Sequence, residues 1–550
     1  MIAVRRAGRL LPQRSDYAAV GRSWRRDALA GVTVGVVALP LALAFGISSG
    51  VGAAAGLVTA VVAGVVAAVF GGSHVQVSGP TGAMAVVLAP IVAQYGIGSV
   101  ALVTVLAGLI VLTAGVTGLG RAVTFIPWPV IEGFTLGIAT IIFLQQVPAA
   151  FGQAGREGER PLIAAWSVVT SPDWSTTRWS LAAVALAAAL MIGLPRLHRA
   201  IPGSLIAVVA TTILVGVLAV PVARIGALPS QLPTPVLPHA DLGALQSLLG
   251  AALAIAALAA IESLLSARVA ATMSPTGPYD PDRELVGQGL ASVASGVFGG
   301  MPATGAIART AVNVRSGART RLAAIVHSLL LLGVVYLATG PVSAIPLAAL
   351  SAVLMVTSFR MIAADTIFKI MRSTRSDALT FTLTAFVTVC FDLIEAVEIG
   401  VLVAAFFALR TVARRSGVKR EELPAPAQPG DEHIALLRLD GAMFFGAADR
   451  ISSMITDADH RKIRVVVIRM SQLGMLDATG AHALARIVDE LEGRGITVIV
   501  KGVQPAHMPL LAAVGVLESL RHENHLIDSL DDAVAHARAH AAAPPRVPRN

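Results

Sequence analysis

The chain has 550 residues, of which 55% are hydrophobic and 14% are charged, and its net charge at pH 7 is +9. Soluble globular proteins carry about 25% charged residues, so a soluble enzyme filling the whole chain, a disordered protein and a fibrous repeat are excluded. The single cysteine, Cys390, excludes an intramolecular disulfide and makes a cysteine-based metal site unexpected.

The N-terminal segment, residues 1–26, contains seven arginines. Multi-pass membrane proteins keep Arg and Lys in cytoplasmic loops, so this segment predicts a cytoplasmic N-terminus and a location in the plasma or inner cell membrane. Residues 31–120 then contain no Asp, Glu, Lys or Arg. Because one bilayer-spanning helix needs about 20 apolar residues, this stretch alone is long enough for about four spans and too long for a cleavable signal peptide.

Residues 27–414 are predicted to form a transmembrane transport domain. Repeat one covers about 27–220 and repeat two about 243–414, with seven segments in each. In chain order, the predicted segments are 27–48, 52–71, 80–95, 99–118, 130–148, 179–194, 203–220, 243–266, 285–298, 305–316, 322–339, 346–362, 377–391 and 394–413.

The segments 80–95 and 305–316 are too short to cross a bilayer, and they share a local sequence. Residues 81–85 (TGAMA) match residues 304–308 (TGAIA) at four of five positions. Each copy is the third segment in a run of seven, and an odd number of segments gives the second repeat an inverted topology. Inverted repeats with interrupted helices are typical of transporters that bind substrate at the membrane midplane.

The start of each short helix is predicted to bind an anion. The first backbone amides of a helix have no intrahelical partner, and the helix dipole places about half a positive charge there. Thr81 and Thr304 are expected to cap these helices, and Gly82 and Gly305 to let a ligand approach. Arg309, one turn inside the second helix, either attracts the anion or pairs with a carboxylate or snorkels. The alternative is that the Gly/Pro breaks only kink ordinary spans.

Glu262 is an intramembrane carboxylate, a costly feature that usually has a function. Ser263 follows it directly, and Ser266 lies four residues on, on the same helical face. These three residues are predicted to hold the coupling ion, either a proton on the carboxylate or Na⁺ with help from the hydroxyls. The alternative is a structural carboxylate paired with an arginine such as Arg309.

No nucleophile elbow, zinc-ligand spacing or Walker A motif is identified in the sequence. Neither an enzyme nor an ATP-driven pump is therefore predicted, and no cofactor or metal is expected. Any coupling would have to come from an ion gradient.

The C-terminal part has a different composition. Residues 415–432 are predicted to be a linker, residues 433–540 a small cytoplasmic α/β domain, and residues 541–550 a disordered tail. Asp477 is placed to cap a helix, and Thr479 lies at the start of that helix, where a phosphate is well received. Thr479 is a possible phosphorylation site, with a simple capping or packing role as the alternative.

Several motifs together resemble the sulfate permease family of anion transporters with a C-terminal STAS domain, over nearly all of residues 25–540. The motifs that carry the resemblance are Asp27-Ala-Leu-Ala-Gly31, Ala38-Leu-Pro40, Gln76-Val-Ser-Gly-Pro-Thr-Gly82, Ile261-Glu-Ser-Leu-Leu265, Arg283-Glu-Leu-Val-Gly-Gln-Gly289, Phe298-Gly-Gly-Met-Pro-Ala-Thr-Gly305 and Leu476-Asp-Ala-Thr-Gly480.

The resemblance implies fourteen transmembrane segments in two inverted repeats of seven, a core domain moving against a gate domain, and a homodimer. It assigns Glu262 the place of the coupling-ion carboxylate and Ser266 that of its hydroxyl partner. The residues that take the anion-site role by resemblance are Thr81, Gly82, Ala83, Gly305, Ala306 and Ile307.

Three positions depart from the family pattern. Leu41 stands where sulfate-transporting members typically have Gln, which weakens sulfate as the substrate. Ile307 offers no side-chain oxygen where Na⁺-coupled bicarbonate transporters resembling this chain have Thr, which weakens a Na⁺ site. Ala478 stands where STAS domains commonly have a hydroxyl residue, which weakens a phosphorylation switch.

The resulting hypothesis is a secondary transporter of a small inorganic anion, such as bicarbonate or sulfate, or of a dicarboxylate. It would work by H⁺ symport and alternating access. The alternatives are a Na⁺-coupled bicarbonate transporter, an uncoupled anion exchanger or channel, a nucleobase permease, and an anion sensor that signals through the STAS domain to a cytoplasmic partner. Nucleic acid is not an expected partner.

Overall fold

The computed structural model describes residues 10–121, 127–153, 160–197, 202–239, 242–391, 393–456, 462–520 and 522–543. The chain divides into two compact units, Met1–Val401 and Leu402–Asn550. Residues 1–9 of the predicted basic N-terminus and residues 544–550 of the predicted tail lie outside the described part.

The first unit consists of helices and one short pair of strands. Its elements, in chain order, are α1 (Val20–Ser48), α2 (Ala53–Phe70), β1 (Ser78–Gly79), α3 (Gly82–Tyr95), α4 (Ser99–Thr117), α5 (Trp128–Ala150), α6 (Pro161–Thr170), α7 (Trp174–Leu197), α8 (Gly203–Val217), α9 (Leu242–Met273), α10 (Pro281–Val297), β2 (Thr304–Gly305), α11 (Ile307–Arg315), α12 (Leu322–Leu337), α13 (Thr339–Ser343), α14 (Leu347–Met361), α15 (Ala364–Arg372), α16 (Arg375–Cys390) and α17 (Leu393–Arg415).

Each of the fourteen predicted segments overlaps one of these helices. By length and composition, the described residues form seven helices able to cross a membrane, the last being 347–372, which joins α14 and α15. Shorter apolar helices accompany them, among them α3 and α6. Helix α6 was not predicted. Its ten residues rise about 15 Å, half the thickness of the hydrocarbon core.

Strands β1 and β2 pair antiparallel, with Gly79 opposite Thr304. One further step along this register would put Pro80 opposite Ala303, and these two residues are related by the same 223-residue offset as the two TGA motifs. When a segment pairs antiparallel with its own repeat copy and the pairing is centred on equivalent residues, the two copies are related by a local two-fold axis. This geometry supports the inverted-repeat fold.

Close helix packing in this unit depends on glycine. A Cβ at Gly108 in α4 would lie 2.8 Å from the carbonyl oxygen of Gly289 in α10, and a Cβ at Gly289 would lie 2.5 Å from the backbone nitrogen of Leu112. The two backbones therefore pack closer than any side chain permits, as small residues allow in membrane helix pairs.

The second unit has a sheet with helices on both faces. After α17 its elements are β3 (Gly417–Glu421), β4 (Ile434–Met443), α18 (Ala448–Thr456), β5 (Val465–Arg469), β6 (Leu473–Leu476), α19 (Ala478–Gly493), β7 (Thr497–Lys501), α20 (Met508–Ala513), α21 (Val516–Ser519), β8 (Leu526–Ile527) and α22 (Leu530–Ala542). The strand order is β3-β4-β5-β7-β8, with β6 also paired to β4. Only β3 pairs antiparallel among the described strands of this sheet.

Strand β3 falls inside residues 415–432, for which the sequence predicts a linker. Its sequence, GVKRE, lacks apolar alternation, and its pairing is supported instead by charge. Glu421 accepts hydrogen bonds from Arg438 on β4 at 2.6 Å and from Arg469 on β5 at 2.9 Å. At the other end, α22 extends to Ala542, so the first two residues of the predicted tail are helical.

Candidate functional site

A cavity of about 1530 Å³ lies between the N-termini of α3 and α11 within the first unit. Its other walls come from α1, α5, α7, α8, α9 and α14. Of the predicted site residues, those that line it are Thr81, Gly82, Ala83, Glu262, Gly305, Ala306, Ile307 and Arg309. The three other predicted residues, Ser263, Ser266 and Thr304, are fully buried beside it.

Helix α3 begins as predicted, with Thr81 as its N-cap. The Thr81 Oγ1 accepts a hydrogen bond from the backbone nitrogen of Met84 at 3.4 Å. The preceding amides, those of Gly82 and Ala83, have no acceptor in their own helix because they belong to its first turn. Both residues line the cavity, so the helix presents its positive end to this space.

Helix α11 begins differently from the prediction. Its N-cap is Ala306, which makes no side-chain cap, and Thr304 is not a cap. The reason is that Thr304 and Gly305 are held in strand β2 against β1, and the backbone nitrogen of Ala306 donates to the carbonyl oxygen of Val77 at 2.9 Å. Because this pairing keeps the backbone extended, the helix starts only at Ile307, whose side chain is 42% exposed in the cavity.

The hydroxyl of Thr304 has another role, which it shares with its repeat copy. Glu262 Oε2, on α9, accepts hydrogen bonds from Thr304 Oγ1 at 2.7 Å and from Thr81 Oγ1 at 2.9 Å. The two hydroxyl oxygens are 3.2 Å apart. Residues related by a two-fold axis meet only near the axis, so this carboxylate lies where the two repeats cross.

The two serines on α9 do not contact this carboxylate through their hydroxyls. Ser263 Oγ accepts a hydrogen bond from the backbone nitrogen of Gly305 at 3.1 Å, and Ser266 Oγ lies 3.2 Å from Thr310 Oγ1. The partnership of Ser266 with Glu262, implied by resemblance, is therefore replaced by the two threonines. Both serines instead anchor the β2–α11 segment to α9.

Arg309 is 2% exposed and ties the two repeats together. Its Nη2 donates to the carbonyl oxygen of Pro80, just before α3, at 2.5 Å. Its Nη1 has no hydrogen-bond partner among the described residues. The guanidinium therefore fixes the approach of α3 to α11, and its Nη1 is buried next to Gly79.

Two supporting residues were not singled out from the sequence. Gln76 Nε2 donates to the backbone oxygen of Ser263 at 3.3 Å, and Thr310 Oγ1 accepts from the backbone nitrogen of Val77 at 3.0 Å. Both are buried polar residues in an apolar region, which is itself a signal of function. Their partners are backbone atoms far away in sequence, which no local pattern reveals.

In the second unit, Asp477 caps α19 as predicted. Its Oδ1 accepts from the backbone nitrogen of Gly480 at 2.7 Å, and its Oδ2 accepts from that of Phe445 at 3.1 Å. Thr479 lies in the first turn of the helix and is exposed. A modification at Thr479 remains a prediction.

The sulfate permease family matches residues 24–384, and the STAS domain matches residues 425–533. The putative sulfate transporter YvdB of Bacillus subtilis is 31% identical over 93% of this chain and 97% of its own length. The bicarbonate transporter BicA of a Synechocystis species is 31% identical over 88% of each chain.

Solved structures share the fold. The transmembrane domain of a cyanobacterium bicarbonate transporter BicA superimposes with a TM-score of 0.61 and 31% identity, covering 70% of this chain and 98% of that one. The murine anion transporter Slc26a9, in an inward-facing state, superimposes with a TM-score of 0.83 and 17% identity, covering 94% of this chain and 91% of that one.

The fold and the cavity are those of a multi-pass membrane transporter with a C-terminal STAS domain. The chain belongs to the sulfate permease family, whose members include sulfate and bicarbonate transporters.

Proposed function

We propose that this protein is a secondary active transporter that carries a small inorganic anion or a dicarboxylate together with H⁺. The observation that carries the proposal is the shared position of Glu262 and the two helix N-termini. The carboxylate is held by the threonine that caps α3 and by the equivalent threonine before α11, at the wall of one cavity.

The charge on the cavity wall favours an anion. Among the described residues that line it, the charged ones are Arg309, Arg315, Arg360 and Glu262. The N-termini of α3 and α11 add about half a positive charge each. We therefore place the anion against the amides of residues 82–83 and 307–308, with the positive charge of Arg309 at the same cavity.

Glu262 is the proposed coupling residue because its charge opposes the anion. At an effective dielectric constant of 20, an ionised carboxylate about 5 Å from a monovalent anion repels it by about 3 kcal/mol. A proton on Glu262 removes this repulsion, and linkage requires that a bound anion favours protonation equally. The anion and the proton then bind cooperatively, as symport requires.

The cavity reaches from these midplane residues to Leu29 near the start of α1 and Arg315 at the end of α11. In the proposed orientation this is the cytoplasmic side, so the structure corresponds to an inward-open state. The proposal includes movement of a core domain against a gate domain, a homodimer, and a cytoplasmic STAS domain.

The test is uptake of labelled fumarate, bicarbonate and sulfate into proteoliposomes with an imposed pH or Na⁺ gradient. Glu262→Gln keeps the shape of the side chain but removes its titration. Glu132→Gln is the matched control, because Glu132 lies in α5, accepts a hydrogen bond from Trp128 at 3.0 Å and is outside the cavity lining.

Proton-stimulated uptake that is lost in Glu262→Gln and kept in Glu132→Gln is the expected result. Uptake whose pH response survives in Glu262→Gln would overturn the role of this carboxylate. A strict Na⁺ requirement would favour the Na⁺-coupled alternative. Uptake that depends on neither gradient would favour an exchanger or a channel. Anion binding without flux would favour a sensor.

A further inference from the structure

Three histidines of the second unit lie together at one edge of its sheet. His536 and His540 are one turn apart on α22, and His525 lies in the short 3-10 helix just before β8. One ring nitrogen from each can be chosen so that all three lie within 4.8 Å of one another. The cluster lies in the second unit, whereas the proposed transport site lies in the first.

We propose that His525, His536 and His540 form a binding site for a divalent transition metal of the zinc class. His536 and His540 are spaced i and i+4, which puts both rings on one helical face, the arrangement that zinc-binding helices use. The expectation that the sequence holds no zinc-ligand spacing is therefore wrong at these two residues. Imidazole ligands without carboxylates favour zinc, copper or nickel over magnesium or calcium.

The separation of the two helical ligands already suits a metal. His536 Nε2 and His540 Nε2 are 3.2 Å apart. Two nitrogens bound to one zinc ion at about 2.0–2.1 Å, with tetrahedral geometry, are about 3.3–3.4 Å apart. A metal ion would therefore replace the proton that the two rings share, with almost no movement of either ring.

The third ligand is held in the core of the cluster. His525 is 1% exposed, and its ring centroid lies 5.4 Å from that of His536 and 5.2 Å from that of His540. One of its nitrogens lies within 4.8 Å of a nitrogen on each of the other two rings, so metal binding requires it to approach them by no more than about 1.5 Å. The fourth position is left for water or for His522, whose exposed ring contacts His525 at a centroid distance of 5.6 Å.

The nearby basic residue does not oppose a cation. Arg538 lies between the two helical histidines in sequence but about 200° around the helix from each. It is ion-paired with Asp431, with Nε 2.8 Å from Oδ1. A bound metal would join the 3-10 helix to α22 and so pin the C-terminal helix to the β8 edge of the sheet.

The experiment uses the full-length protein purified without a polyhistidine tag and stripped with EDTA. Zn²⁺ binding is measured by equilibrium dialysis with elemental analysis, and Co²⁺ binding by the visible absorption of a tetrahedral site. One ion per chain is expected, and Zn²⁺ should raise the Tm of the metal-free protein.

Because His525 is buried, the variants are His536→Gln and His540→Gln, with the exposed His482→Gln on α19 as the control. Each ligand variant should weaken Zn²⁺ binding at least about 10-fold, the low end of the loss seen when metal-site partners are removed. The metal-dependent Tm rise should also disappear, while the Tm in EDTA stays near that of the wild type.

Equal Zn²⁺ binding in the wild type and in both ligand variants would overturn the proposal, as would the absence of saturable binding in the wild type. Glu262→Gln should bind Zn²⁺ like the wild type, because the cluster lies in a different unit from the cavity. A change there would point to a metal site in the transport domain instead.

Discussion

Replacing Gly305 by alanine should damage both stability and transport, because the backbone of β2 lies directly against two polar side chains. A Cβ at this position would overlap Gln76 Nε2. It would also lie 2.7 Å from Gln76 Cδ and 3.1 Å from Ser266 Cβ. Because its Nε2 is the nearest atom, the Gln76 amide would have to retreat by more than about 1 Å to reach ordinary van der Waals contact. That movement breaks its hydrogen bond to the backbone oxygen of Ser263.

The size of the effect follows from these two costs. Overpacking a well-packed site costs about 1–3 kcal/mol, and loss of a neutral hydrogen bond costs about 0.5–1.5 kcal/mol. Together they predict a loss of about 2–4 kcal/mol in the free energy of unfolding, measured as a fall in Tm of several degrees. Anion uptake should fall further, because the same backbone precedes the proposed anion-binding amides of α11.

The measurement is a double-mutant cycle in purified full-length protein, with Tm and uptake as readouts. Gly333→Ala in α12 is the control, since a Cβ there meets nothing within 4 Å and should be neutral or stabilising by up to about 1 kcal/mol. In a Gln76→Ala background the penalty of Gly305→Ala should shrink below about 1 kcal/mol. An equal penalty in both backgrounds would refute the steric argument.

Three further changes test other parts of the structure. Thr304→Val removes one of the two hydroxyl groups that donate to Glu262. Since a hydrogen bond to a charged group contributes about 1.5–3 kcal/mol, uptake should fall at least about 10-fold. Thr304→Ser keeps the hydroxyl and should retain uptake. Asp477→Ala removes a helix cap and should cost about 1 kcal/mol, seen in the Tm; an unchanged Tm would contradict the capping role. The hydrogen bond from Arg538 holds the pKa of Asp431 below its ordinary value of 3.8. The ionised Asp431 is stabilised only in the folded state, so Arg538→Gln should lower Tm equally from pH 5 to 8, with the difference vanishing as the pH falls below 3.8. A Tm difference that does not shrink as the pH falls below 3.8 would contradict that ion pair as its source.

The positions of the membrane segments could be predicted from composition because hydropathy acts locally. A helix satisfies every backbone polar group of an apolar run in lipid, so each predicted segment overlaps a helix in the structure. The same logic fails for elements that take their stability from a partner. Strand β3 has no apolar alternation and was predicted as a linker, because its ion pairs with Arg438 and Arg469 involve strands that follow it in sequence.

The candidate site was predicted in its location but not in its hydrogen bonds. The TGA repeat and the isolated Glu262 identified both helix starts and the carboxylate, since both are visible as exceptions to an apolar background. The family resemblance then suggested Ser266 as the partner of Glu262. In the structure, Thr81 and Thr304 donate the hydrogen bonds to Glu262 instead. These contacts depend on where the two repeats cross, which the sequence of a single helix does not reveal.

The crossing also explains where the two repeats agree in sequence and where they differ. Thr81 and Thr304 lie next to the local axis and bond the same carboxylate oxygen, so one residue type serves both copies. Three residues further on, the environments diverge. Met84 is fully buried in the core, whereas its repeat equivalent Ile307 is 42% exposed in the cavity. The site is therefore symmetric in how it holds Glu262 and asymmetric in the surface it offers to a ligand, so substitutions at Ile307 should alter anion selectivity more than those at Met84.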